Sequence, residues 1–137
     1  MDTIQQYEQI TPFFSSGQPI LNPGILSTLT NLVIADFSMN EQGIRYFEIR
    51  NNQSLQRIQI SSHCFSNVIK CTFKHLNKLN TLVIGKDSFS NNTATSVFEC
   101  FSCPELKELI IGEGSFDNYA EFKAYSNNLL YPLIELN

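Results

Sequence analysis

Residues 79–89 read Leu79-Asn80-Thr81-Leu82-Val83-Ile84-Gly85-Lys86-Asp87-Ser88-Phe89, and residues 106–116 read Leu106-Lys107-Glu108-Leu109-Ile110-Ile111-Gly112-Glu113-Gly114-Ser115-Phe116. Both follow Leu-x-x-Leu-x-Ile-Gly-x-x-Ser-Phe. Working outward, the Leu-x-x-[Leu/Ile]-x-Ile core recurs at Leu29-Leu32-Ile34 and Leu55-Ile58-Ile60, so the leading Leu residues lie 26, 24 and 27 positions apart. A second apolar mark sits ten residues after each leading Leu, at Met39, Phe65, Phe89 and Phe116. A third follows at Phe47, Phe73, Phe98 and Phe122, with a variable offset. Four copies of three ordered apolar marks define a repeat array, and the slack between the second and third marks places insertions in a loop.

In Leu82-Val83-Ile84 and Leu109-Ile110-Ile111 the outer two side chains face one way and the middle one the other, as strand alternation requires. Each unit therefore supplies a short strand, a turn and a return segment that brings large apolar side chains back against the strand. A unit of 24 to 27 residues cannot bury that surface alone. Stacked units can, with strands pairing in parallel at about 4.8 Å. The fold expected is a repeat solenoid with a parallel β-sheet on one face. Return segments such as Val97-Phe98-Glu99-Cys100-Phe101 suit short strands or short helical turns equally. Gly85 and Gly112 let the chain leave the strand through a positive φ or a close backbone approach, and Ser88 and Ser115 leave room for the following Phe ring to turn inward.

This spacing and strand pattern resemble leucine-rich repeats, without the Asn or Cys that in those repeats follows the strand and bonds backbone groups in the turn. Ile-Gly-x-x-Ser-Phe, at Ile84–Phe89 and Ile111–Phe116, is similar to the Ile-Gly-x-x-Ala-Phe signature of the BspA-like leucine-rich repeats of bacterial surface antigens and large protist families. The resemblance covers roughly residues 29 to 125, with Ser61-Ser62-His63-Cys64-Phe65 a weaker copy and Ala35-Asp36-Phe37-Ser38-Met39 a poor one. It implies a surface or adhesion-type repeat family.

Three segments follow from the array. Residues 1–28, with Phe13-Phe14, Ile20-Leu21 and Asn22-Pro23-Gly24, read as a degenerate first repeat or N-terminal cap. Residues 29–129 hold four repeats starting near 29, 55, 79 and 106. Residues 130–137 begin a fifth at Leu130 and Leu133, where Glu135 falls at the core Ile position and Pro132 removes a ladder donor, so this segment reads as a partial repeat, a cap or the edge of a longer array.

Composition narrows the function classes. The chain has 137 residues, 42% hydrophobic and only 16% charged, with eleven Phe and no Trp, and its polarity comes from fourteen Asn and fourteen Ser. A net charge of -4, with nine scattered Lys and Arg, argues against a nucleic-acid partner. No leader-like segment opens the sequence and the apolar runs are strand-sized, so no membrane insertion is expected and an intracellular location is the default expectation. The sequons Asn52-Gln53-Ser54 and Asn91-Asn92-Thr93 are ordinary accidents of an Asn- and Ser-rich chain.

Chemistry has little foothold. Cys100-Phe101-Ser102-Cys103 has the spacing of one half of a zinc site, but a second such pair is missing. Cys71 lies two residues before Phe73 and Cys100 two after Phe98, which on the third-mark alignment sets these thiols about 10 Å or more apart. Buried small hydrophobes are the expectation for all four cysteines, with no metal and no cofactor. His63 next to Cys64 would need a base in reach and an orienting group to act as a nucleophile pair. Alternation sends it to solvent instead. Glu105, Glu108, Glu113, Asp117 and Glu121, with Asp87 and Glu99, read as a solvated face, because no calcium-loop spacing occurs.

The outward face of the sheet remains. It carries a mixed row, Asn31, Arg57, Thr81 and Glu108, beside a mostly β-branched row, Val33, Gln59, Val83 and Ile110. In stacked arrays such a face is rigid and extended, and docks protein or peptide ligands; β-branched side chains there also stabilise neighbouring strands. The expectation is a non-catalytic protein-binding module. The alternatives are an architectural piece of a longer array with no partner of its own and, remotely, an enzyme built on the Cys and His residues.

Overall fold

The computed structural model describes residues 3–4, 29–37, 39–91, 95–124 and 133–136. The cap expected over residues 1–28, apart from Thr3–Ile4, lies outside these residues, as do Ser38, Asn92-Thr93 and the 130–132 segment. Among the described residues ten strands follow in order: β1 Thr3–Ile4, β2 Asn31–Ile34, β3 Tyr46–Asn52, β4 Arg57–Ile60, β5 Lys70–Leu76, β6 Thr81–Ile84, β7 Val97–Phe101, β8 Glu108–Ile111, β9 Glu121–Ala124 and β10 Leu133–Leu136. They alternate between two parallel sheets. One has the order β1-β2-β4-β6-β8-β10, the other β3-β5-β7-β9. The chain is a β-solenoid of about four turns, and the return segments, which suit strand or helix from sequence alone, are strands.

In the six-stranded sheet every core strand shows the same alternation of half-buried and buried residues. Leu32, Ile58, Leu82 and Leu109 pair in one row, and Ile34, Ile60, Ile84 and Ile111 in another. All eight are buried. At the next step Ile134 stands opposite Leu109 and Leu136 opposite Ile111. The register thus corrects the phase of the fifth repeat by one residue: Leu136 takes the row of the core Ile, and Glu135 stands opposite Ile110.

The return sheet carries a second correction. Phe47, Cys71, Phe98 and Phe122 share one row, while Phe73 pairs with Ile49 and Cys100 in the other. Phe73 is therefore not in register with the other third-mark Phe residues, but two places along. Alternation returns it to the same side of the strand, so it still enters the core. The row it vacates is recoverable from spacing, because Phe47, Cys71 and Phe98 each lie eight residues before the next leading Leu. The same shift brings Cys71 and Cys100 onto adjacent strands two residues out of register, about 8 Å between Cα positions rather than 10 Å or more.

Each coil turns through left-handed backbone at fixed places. Phe37, His63 and Asp87 have φ of 59°, 58° and 54°, with Gly114 at 84° in the same column. Met39, Phe65, Phe89 and Phe116 form a second such column, and Asn51, His75 and Ser102 a third, four residues before the next leading Leu. Left-handed backbone costs a bulky residue about 1–2 kcal/mol. In the second column burial offsets it: Phe65 stacks on Phe89 at 5.0 Å and Phe89 on Phe116 at 4.8 Å, nearly parallel, while Phe47 leans on Phe65 at 4.3 Å. Gly112 is required by close approach, since a Cβ there would lie 2.5 Å from the backbone carbon of Gly85.

Between Gly and Phe runs a column of hydrogen bonds. The Ser88 hydroxyl accepts from the Cys64 N–H at 3.1 Å and donates to the Ser61 carbonyl at 2.7 Å. Ser115 repeats both bonds one coil on, accepting from the Ser88 N–H at 2.9 Å and donating to the Gly85 carbonyl. The Cys64 thiol donates to the Ala35 carbonyl at 3.1 Å. Ser88 and Ser115 are thus inter-coil fasteners as well as small residues. Leu82→Ala or Phe89→Ala is expected to lower the unfolding free energy by about 2–5 kcal/mol, each leaving a cavity in a ladder. Ser88→Ala is expected to cost about 1–3 kcal/mol by orphaning a buried N–H, against about 0.5 kcal/mol or less for exposed Ser90→Ala. Denaturant titrations check all four.

Candidate functional site

The outward side chains of β2, β4, β6 and β8 fall where strand alternation puts them. Asn31, Arg57, Thr81 and Glu108 share one row and Val33, Gln59, Val83 and Ile110 the next, and all eight are half-buried. Neighbours within a row lie about 4.8 Å apart, and the rows about 7 Å apart. Arg57 is held across the face by a hydrogen bond from its Nη2 to Gln59 Oε1 at 3.1 Å. The hydroxyl of Thr81 donates to Asn80 Oδ1 at 2.8 Å. Arg57 and Glu108 sit on either side of Thr81, two strand spacings or about 10 Å apart.

Two further rows extend this sheet beyond the four rungs expected, since β1 pairs with β2 and β10 with β8. Six strands span about 24 Å. Just past the strand ends, Phe37 is 70% exposed and stacks flat on His63 at 4.7 Å. Neither residue is marked by the repeat pattern, because both occupy a variable turn position; the exposure of Phe37 and the left-handed backbone of both are visible only in the fold.

The return sheet presents a different surface. Glu48 pairs with Arg50 at 3.4 Å and with Lys74 at 3.7 Å, and Glu121 with Lys123 at 3.2 Å, so its charges are largely satisfied within the sheet. A shallow cleft of about 260 Å³ lies there among Tyr46, Phe47, Glu48, Lys70 and Thr72. It is smaller than an ordinary small-molecule site of about 300–1,000 Å³, and it contains none of the eight sequence-marked residues.

His63 and Cys64 diverge: the thiol is buried and the imidazole rests on Phe37. His75 is exposed and meets Phe101 edge-on at 6.0 Å. Among the described residues, no three His, Cys, Asp or Glu side chains converge on a point. Asn52 of the first sequon is buried, and its Oδ1 accepts from the N–H groups of Ser54 at 2.8 Å and Leu55 at 2.9 Å and from the Ser54 hydroxyl at 3.1 Å. That amide closes the third corner rather than facing solvent.

Comparison with protein-family models, with curated proteins and with solved structures returned no match.

The perturbed groups belong to the interior. Burial pushes the Cys71 thiol well up, and the Cys100 thiol is raised first by its hydrogen bond to Cys103 and then by burial. Tyr119, whose hydroxyl donates to the Val68 carbonyl, is raised by burial and then by Cys71. For these three the folded state holds the proton more tightly than the unfolded chain. Their stabilisation is complete below the unfolded thiol value, about pH 8.5, and is lost as the pH rises beyond it. Cys103, shifted down by its bond from Cys100, opposes them in part. Under reducing conditions the melting temperature is expected to fall between about pH 8 and pH 11, and Cys71→Ala to flatten that fall. A fall equally steep in the variant would contradict the assignment.

Proposed function

We propose that the chain is a non-catalytic repeat module of the leucine-rich-repeat type, akin to the BspA-like repeats, that binds a protein or peptide through the outward face of its six-stranded sheet. One observation carries the reading. Val33, Val83 and Ile110 form a half-exposed apolar row on a face with few charges, held rigid by an unbroken ladder. On the return sheet the charges pair with one another instead. The interrupting Gln59 is bonded to Arg57, which leaves the row a polar handle at its centre.

Size limits the ligand. A face about 24 Å wide and four residues long offers roughly 300 Å², against about 800 Å² per partner in a standard interface. A short peptide segment or a projecting loop fits it, reaching the Phe37–His63 stack at the strand ends for further contact. A handful of apolar contacts around a polar centre is enough for micromolar recognition when the surface is already ordered.

The test is a selection of displayed random peptides on the intact chain. Ligands are expected to lose at least about tenfold in affinity against Val83→Arg with Ile110→Arg, one hot-spot loss, with circular dichroism unchanged, and to be indifferent to Lys74→Glu on the other sheet. Selected ligands that ignore the paired Arg substitutions, or a selection that yields none, would leave the architectural reading in its place.

A further inference from the structure

Strand alternation turns Cys71 and Phe73 of β5 into the core and Thr72, between them, away from it. Thr72 is nevertheless only 3% exposed. Glu48 on β3 and Glu99 on β7 stand opposite it on either side, and Lys70 and Lys74 flank it along its own strand. It also lines the cleft of about 260 Å³ on this face, together with Tyr46, Phe47, Glu48 and Lys70. Among the described residues the Thr72 hydroxyl has no hydrogen-bond partner, while every fully enclosed side-chain oxygen or nitrogen has one. That hydroxyl therefore reaches the cleft, as a polar group at its floor.

The charges around it are unevenly matched. Both carboxylate oxygens of Glu48 are taken, Oε2 by Arg50 at 3.4 Å and Oε1 by Lys74 at 3.7 Å. Lys70 is exposed and, among the described residues, is in no ion pair. Tyr46 stands beside it on β3, 45% exposed, and offers a flat apolar wall. The lining thus combines one uncommitted cation, one hydroxyl donor and one aromatic surface.

We propose that this cleft binds a small aromatic monocarboxylate, either a free acid or the C-terminal residue of a peptide. The carboxylate lies at the Lys70 end, away from Glu99, and takes hydrogen bonds from the ammonium and the Thr72 hydroxyl. The ring packs on Tyr46. A single negative charge matches the single uncommitted cation, and a doubly charged group would meet Glu48 without a second one. An acid of about ten non-hydrogen atoms suits so small a cleft and binds with a Kd on the order of millimolar. The cleft belongs to the return sheet, so it is independent of the peptide face on the six-stranded sheet.

Phenylacetate is titrated into the intact chain and followed by amide chemical shifts. Saturable shifts are expected at Tyr46, Glu48, Lys70 and Thr72. Phenylacetamide, which lacks the charge, is expected to bind about threefold more weakly or worse. Lys70→Gln and Thr72→Val are each expected to weaken phenylacetate by a similar factor, and Tyr46→Ala to weaken both probes, with circular dichroism unchanged. Lys70 is exposed, so its substitution keeps the fold and decides the matter should another variant unfold. Val83→Arg with Ile110→Arg is expected to leave phenylacetate binding as it was, which separates this site from the peptide face. N-acetyl-glycyl-phenylalanine binding as tightly as phenylacetate assigns the site to peptide C-termini, and weaker binding assigns it to free acids. No saturable shift at these four residues at tens of millimolar, equal binding of the amide, or indifference to Lys70→Gln would overturn the proposal.

Discussion

Each coil must end directly above the place where it began, one strand spacing along, or neither ladder can continue. That constraint sets the rest of the architecture. It fixes the stretch from the return strand to the next leading Leu at eight residues and confines length variation to the segment after the second apolar mark. It also explains why Met39 and three Phe residues accept left-handed backbone. A closed rectangular path needs sharp corners at fixed heights, and when a corner must also aim a large side chain inward, ring burial and stacking offset the backbone strain.

The interior shows how loosely side-chain identity is bound once the path is fixed. One return row holds Phe47, Cys71, Phe98 and Phe122, and its neighbour Ile49, Phe73, Cys100 and Ala124. Where Cys stands in one row on β5, Phe stands in the other, and β7 reverses the arrangement. Between β5 and β7 large and small residues thus alternate diagonally, whereas at β9 Phe122 stacks on Phe98 at 4.5 Å and Ala124 stands beside Cys100. Adjacent thiols are a by-product of that alternation.

Strand alternation made the first sheet legible from sequence: Leu32-Val33-Ile34 and its three counterparts admit one face inward and one outward, and the structure follows them residue by residue. The return sheet was less legible because Val97-Phe98-Glu99-Cys100-Phe101 satisfies both helical and strand periods. Aligning Phe73 by residue type rather than by distance to Leu79 then displaced a row. Ser88 and Ser115 were visible but read as steric spacers, since a hydroxyl's partner one coil away leaves no local trace. The candidate face was legible only as geometry: alternation says which side chains leave the core, while the choice of ligand rests on shape and charge shared with a second molecule.

The hydroxyl column also gives the array a direction. The N–H of Cys64 is served by Ser88, that of Ser88 by Ser115, and each thiol or hydroxyl reaches back to a carbonyl of the coil before. Every turn is therefore completed by the residue that comes after it in the chain. A coil whose successor supplies no hydroxyl must find that partner within its own turn. Ser115, the last of the column among the described residues, draws its own N–H onto the Gly112 carbonyl within its turn. A following coil with a hydroxyl at the matching place would exchange that local bond for one between coils, so the column runs in one sense along the chain.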